Sequence, residues 1–113
     1  MPATTHFRQL SAPRQTLVRL FQSVNFGRIE DLEVRSGEPV FNPAPRVLIA
    51  VDLNDDEGPR PEHELGDFAV REEIVRLMDR ISELADGTVA HIEIRAGLPR
   101  RMVIEANRLG AHR

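Results

Sequence analysis

Apolar residues recur at three- and four-residue steps along one stretch: Val70, Ile74, Leu77, Met78, Ile81, Leu84 and Ala85. That spacing predicts an amphipathic helix with a single buried stripe. Asp67 is placed to cap its start, and Glu72 and Glu73 fall early, where the partial positive charge of a helix N-terminus favours carboxylates. Gly87 follows the last apolar turn and suits a left-handed cap. Residues 88–95 then read as a strand, with Ala90, Ile92 and Ile94 on one face, and Ala96-Gly97 is a hairpin signal. Residues 98–106 return, with Met102 and Ile104 as core positions. A two-residue turn would pair Ile92 with Arg101. A three-residue loop would pair Ile92 with Met102 and Glu93 with Arg101, and it is preferred because it separates apolar from charged pairs.

The same pattern stands sixty residues earlier. Leu17 aligns with Leu77, Gly27 with Gly87, Glu33 with Glu93, Arg35 with Arg95, Gly37 with Gly97 and Pro39 with Pro99. Apolar positions match between them: Phe21 with Ile81, Val24 with Leu84, Ile29 with Val89, Leu32 with Ile92 and Val34 with Ile94. An internal repeat of residues 13–41 and 73–101 follows, because matched apolar patterns predict the same element at the same place twice. Pro13 fits the first turn of a helix whose stripe is Leu17, Leu20, Phe21 and Val24, and which Gly27 ends. Residues 28–35 form a strand, Ser36-Gly37 the turn, and residues 38–41 the return. Strict alternation breaks between Ile29 and Leu32 and again between Val89 and Ile92, which predicts a bulge or strong twist near Glu30-Asp31 and Ala90-His91.

One apolar run has no counterpart. Residues 46–53 contain Val47-Leu48-Ile49-Ala50-Val51 between Pro45 and Asp52, which predicts a strand covered on both faces or central in the sheet. An acidic polar loop, residues 54–66, leads to the second copy. The expected fold is α+β: a duplicated α-β-β unit, with about five mainly antiparallel strands in one sheet and two helices on one face.

At 113 residues the chain has the size of a single domain. It has no cysteine, which removes disulfides, thiolate metal sites and cysteine nucleophiles. No apolar stretch approaches the ~20 residues that span a bilayer, and the first ten residues lack a signal-peptide core, so the expectation is a cytoplasmic protein without membrane contact. All 15 basic residues are arginine. Net charge is −3, but unevenly spread: residues 52–67 carry seven acids and one arginine, whereas residues 87–113 carry five arginines and two acids.

The segment Val24-Asn25-Phe26-Gly27-Arg28-Ile29, followed by Val34-Arg35-Ser36-Gly37-Glu38-Pro39-Val40, resembles the YezD-like small bacterial proteins. Those are short chains with a helix, an aromatic-Gly-x-Ile or Val entry to a strand, and a Gly-centred hairpin. The resemblance covers about 30 residues. Asp86 stands where the second copy would need the aromatic. The resemblance implies the helix–hairpin unit and carries no catalytic residues.

Candidate chemistry is sparse. Counted as a calcium loop from Asp52, the sixth position is Glu57 and the twelfth His63, where glycine and glutamate are required. His63 has no second histidine at ligand spacing; His91 falls on a strand. Ser11 reads as a helix start, Ser36 as a turn, and Ser23 and Ser82 as helix surface; none sits in a nucleophile elbow. Gly27, Gly37, Gly87 and Gly97 are spaced by hairpins and caps, not by a phosphate-binding pattern. The best charged lead is the set Arg95, Arg100, Arg101 and Arg108, a hairpin able to follow a phosphate backbone. Low aromatic content and acidic net charge weigh against it. The expectation is a non-enzymatic, self-associating protein-interaction module without a cofactor. The alternative is a small nucleic-acid-binding regulator using the arginine hairpin.

Overall fold

A computed structural model describes residues 5–53 and 69–105. After a 3-10 turn at Phe7–Gln9 come α1 (Ala12–Val24), β1 (Phe26–Arg35), β2 (Glu38–Val40), β3 (Arg46–Ile49), α2 (Glu72–Leu84), β4 (Gly87–Arg95) and β5 (Leu98–Ile104). The fold is α+β, with two helices and an open five-stranded sheet ordered β2-β1-β4-β5, β3 also pairing with β1. Every described strand pair is antiparallel.

Each helix is set by local chemistry at its start. Ser11 caps α1 by accepting the Arg14 N–H on its hydroxyl, and Pro13 sits in the first turn. α2 begins after Arg71, which makes no side-chain cap, although Glu72 and Glu73 favour the helix N-terminus by charge. Asp67, expected as the cap, lies outside the described residues. Val70 belongs to the apolar stripe but precedes the helix; its N–H donates to the Thr5 carbonyl at 2.8 Å. Periodicity reports burial, and an extended segment can bury a side chain in phase with the helix that follows.

The helix ends correct one expectation. The positive-φ residues that end the helices are Asn25 (φ 63°) and Ala85 (φ 62°); Gly27 (φ 153°) lies inside β1 and Gly87 has an ordinary φ. The Asp86 N–H donates to the Leu84 carbonyl at 2.6 Å, closing a three-residue turn around Ala85. Both helices run into a strand within two residues, so the reversal falls on the residue directly after the last helical turn.

β1 and β4 form the centre of the sheet, from Phe26 opposite Arg95 to Val34 opposite Gly87. The ladder passes from Glu30–His91 to Leu32–Val89, with Asp31 at φ 59°, and the β4–β5 ladder shifts between Val89 and His91. That irregularity, expected at these positions, lets Ile29 and Leu32 face the helices together although two residues separate them. Both hairpins close with two residues at positive φ, Ser36-Gly37 and Ala96-Gly97. Ile92 pairs with Met102 and Glu93 with Arg101, as expected, but by another route than a three-residue loop. The turn has two residues, and Arg100 is extruded between the Ile94–Pro99 and Glu93–Arg101 pairs. A two-residue turn with two positive φ values matches strand twist, and the bulge restores the register.

The largest departure is the apolar run at 46–53. Only Arg46–Ile49 is strand, and it is neither central nor covered on both faces. β1 already gives one edge to β4 along its length. Its other edge is shared by β2, against Glu33–Arg35, and β3, against Gly27–Glu30. The run therefore takes an outer place.

Leu17, Val18, Phe21 and Val24 of α1 and Ile74, Leu77, Met78 and Ile81 of α2 join Ile29, Leu32, Val34, Val89, Ile92 and Ile94 in one core. The helices thus cover a single face of the sheet. Phe7 closes one side of this core, with the Arg19 guanidinium 4.4 Å over its ring. No described helix is long and apolar enough to cross a membrane.

Candidate functional site

β3 is positioned by one side only. The Ala50 N–H donates to the Phe26 carbonyl at 2.7 Å, and Leu48 and Arg46 stand opposite Arg28 and Glu30. Antiparallel alternation then directs the main-chain groups of Val47 and Ile49 away from β1, to an edge with no strand partner among the described residues. Gly27 makes the close approach possible, because a Cβ there would run into the Leu48 carbonyl oxygen. Side chains follow the same alternation. Val47 lies opposite buried Ile29, and Ile49 opposite Gly27, on the helix side of the sheet. Beyond the cover of the helices they stay accessible: Val47 is 39%, Ile49 58% and Val51 71% exposed. A contiguous apolar row on an unpaired edge is a surface that natural sheets usually suppress.

The opposite edge shows that suppression. β5 carries Pro99, the extruded Arg100 and the exposed Arg101. β2 has three residues and contains Pro39. Proline, bulges, short length and charge all discourage a further strand. β3, although only four residues long, has no proline, bulge or charge within Val47–Ile49.

The expected arginine set is divided by the fold. Arg95 is exposed at the end of β4 and lines a hollow with Phe26, Ala50, Val51 and Asp52. Arg100 and Arg101 line a shallow groove between α2 and β5, with Arg76 and Arg80 on its helix side. Arg108 lies outside the described residues. Arg76 and Arg80 were missed by sequence reasoning; their four-residue spacing, which puts both on one helix face, was the available signal. Acids interleave with these groups. Arg76 pairs with Glu72 at 2.8 Å, Arg80 with Glu83 at 3.2 Å, and Arg100 lies 3.9 Å from Glu73. On the uncovered sheet face Glu30 sits between Arg28 (3.2 Å) and Arg46 (3.5 Å), and Glu93 between Arg28 and Arg101 in the ladder. The face is a mosaic of both signs rather than a basic stripe.

The glycines act on the backbone. Gly37 and Gly97 occupy the second turn positions, both at φ 76°, and their N–H groups donate to Ala85 and Asn25 carbonyls at 2.8 and 2.9 Å. Each hairpin tip is thereby tied to the end of the helix from the other half. Gly87 has an ordinary φ and opens β4. His91 lies on β4 opposite Glu30 and Val103. Among the described residues no three His, Asp or Glu side chains cluster as metal ligands, and the acidic loop, residues 54–66, lies outside them.

No family model matches the chain, and neither a curated protein nor a solved structure is significantly similar to it.

Proposed function

We propose that the chain is a non-enzymatic protein-interaction module that associates by strand addition at the outer edge of β3. One observation carries this reading: Val47, Ile49 and Val51 expose an apolar row on a strand edge whose main-chain groups face outward. Strand addition supplies main-chain hydrogen bonds along the edge and apolar contacts from alternate side chains. The other edges carry the devices that prevent it. The same reading takes the chain as two copies of one α-β-β unit. Support comes from the element positions: helices at 12–24 and 72–84, and left-handed residues at 25 and 85, 36 and 96, and 37 and 97.

A second reading, anion or nucleic-acid contact, rests on the four arginines of the α2–β5 groove. Their acidic neighbours make it the weaker of the two. Light scattering after size exclusion separates the readings, run at low and high salt, with and without short duplex DNA. The strand-addition reading expects a salt-resistant oligomer that ignores DNA and is lost in Ile49→Lys. Oligomers unaffected by Ile49→Lys would refute it. A salt-sensitive DNA complex abolished by joint Arg100→Glu and Arg101→Glu substitution would put the arginine groove in its place.

A further inference from the structure

We infer that the strand added to β3 is the β3 segment of a second copy of this chain, antiparallel and centred on Ile49. The inference rests on the strand-addition reading and adds the partner and the register. The segment reads Arg46-Val47-Leu48-Ile49-Ala50-Val51-Asp52, an apolar run with a cation at one end and an anion at the other. Antiparallel pairing about Ile49 sets Arg46 opposite the partner's Asp52, and Asp52 opposite the partner's Arg46. Val47 meets the partner's Val51, Leu48 meets Ala50, and Ile49 meets itself. The segment is therefore complementary to its own reversed copy in charge, size and hydropathy.

The backbone allows this register. The Ala50 N–H points inward to Phe26, so the groups of Val47, Ile49 and, by alternation, Val51 point outward. A register centred on Ile49 opposes outward residues to outward residues at all three positions, giving about six inter-chain hydrogen bonds. A slip of one residue would oppose inward to outward groups and is excluded by parity. A slip of two keeps parity but moves Arg46 away from the partner's Asp52. Faces agree as well. Val47, Ile49 and Val51 of both copies fall on the helix side and extend the apolar layer across the junction, where they are now exposed. Arg46 and Asp52 fall on the uncovered face, beside the existing Arg46–Glu30 pair at 3.5 Å. Two five-stranded sheets would then join into one continuous sheet with two-fold symmetry, the closed form expected of a self-complementary patch.

Two experiments on the full chain test the partner and the register. In the first, Arg46→Asp and Asp52→Arg are made separately. Each homodimer then opposes like charges at both ends and is expected to dissociate about tenfold more readily, since two cross-strand pairs turn from attractive to repulsive. Mixing the two variants restores both opposite-charge pairs, and native mass spectrometry should show the heterodimer in excess. A statistical mixture of homodimers and heterodimers would overturn the register. Because Arg46→Asp also faces Glu30, a second measurement stands apart from charge. The chain has no cysteine, so Ile49→Cys introduces a single thiol. Directly opposed hydrogen-bonded residues have Cα atoms about 5.5 Å apart, within disulfide range. Ile49→Cys is expected to oxidise to a covalent dimer. Val47→Cys is not, because its own copy lies four residues along the partner strand. A dimer that Ile49→Lys abolishes but Ile49→Cys fails to cross-link would overturn this inference and leave the edge reading standing. A dimer indifferent to both would remove the edge reading too, and a strictly monomeric chain would remove the second copy as the occupant.

Discussion

Four glycines that look alike in sequence face three different demands. Gly37 and Gly97 hold φ 76° in the second position of their turns, where a β-branched side chain is strained. Replacing either by Val is expected to cost about 1–2 kcal/mol in urea unfolding. An unchanged midpoint for both would refute the turn assignment. Gly27 combines a positive φ of 153° with a second demand, the Leu48 carbonyl that would meet any Cβ. Gly27→Ala should therefore displace β3 or destabilise the fold by about 1–3 kcal/mol, as overpacking does. At Gly87 a Cβ would meet the Leu84 side chain, Cδ1 at 3.0 Å and Cγ at 3.3 Å, and no backbone atom as closely. Gly87→Ala should change stability by less than about 0.5 kcal/mol. The ranking Gly27 above Gly87 separates backbone contact from sequence resemblance, and its reversal would show that Leu48 is not where the ladder puts it.

Between elements, Arg14 joins three segments. Its guanidinium donates to the Gly37 carbonyl at 2.7 Å and to the Ser82 hydroxyl at 2.7 Å, and its Nε lies 3.6 Å from Glu38. Ser11, the cap of α1, donates its hydroxyl to the same Glu38 carboxylate at 2.6 Å. The first turn of α1 is thus fixed to the β1–β2 hairpin and to the last turns of α2. Arg14→Ala is expected to cost about 1–3 kcal/mol, the scale of hydrogen bonds to a charged donor that leave acceptors unmatched. Chemical denaturation measures it, and a change below about 0.3 kcal/mol would mean that water replaces the arginine without loss.

For the whole molecule, protection should follow the sheet outward from its centre. The β1–β4 ladder is the longest and lies under the core, with Ile29 opposite Ile92, both fully buried. Its amides should exchange only by global unfolding, and Ile92→Ala should cost about 2–5 kcal/mol. The Val47 amide faces the outer edge and has no strand partner among the described residues, so in a monomer it should exchange freely. In the wild-type protein at high concentration it should be protected, and in Ile49→Lys that protection should vanish. Free exchange of Val47 at concentrations where the protein is dimeric would place the contact elsewhere.

The chain itself determined what depends on near neighbours. Apolar periods placed α1 and α2, Ser36-Gly37 and Ala96-Gly97 marked the hairpins, although the second closes with two residues and a bulge instead of a three-residue loop, and broken alternation marked the irregularity at Glu30-Asp31 and Ala90-His91. Each follows from backbone geometry within a few residues. Helix caps were misplaced because Gly27 and Gly87 announce a left-handed residue, whereas Asn25 and Ala85 adopt one under the demand of the strand that follows. Only tertiary structure decided the place of β3. An apolar run of five residues is compatible with a central strand or an edge strand, and the choice depends on which neighbour already occupies β1. The division of the arginines was decided in the same way, since a groove between α2 and β5 exists only after both have packed. Burial is a property of neighbours distant in sequence. The proposed interaction surface is therefore a stretch whose composition predicts the core and whose position in the sheet leaves it at the edge.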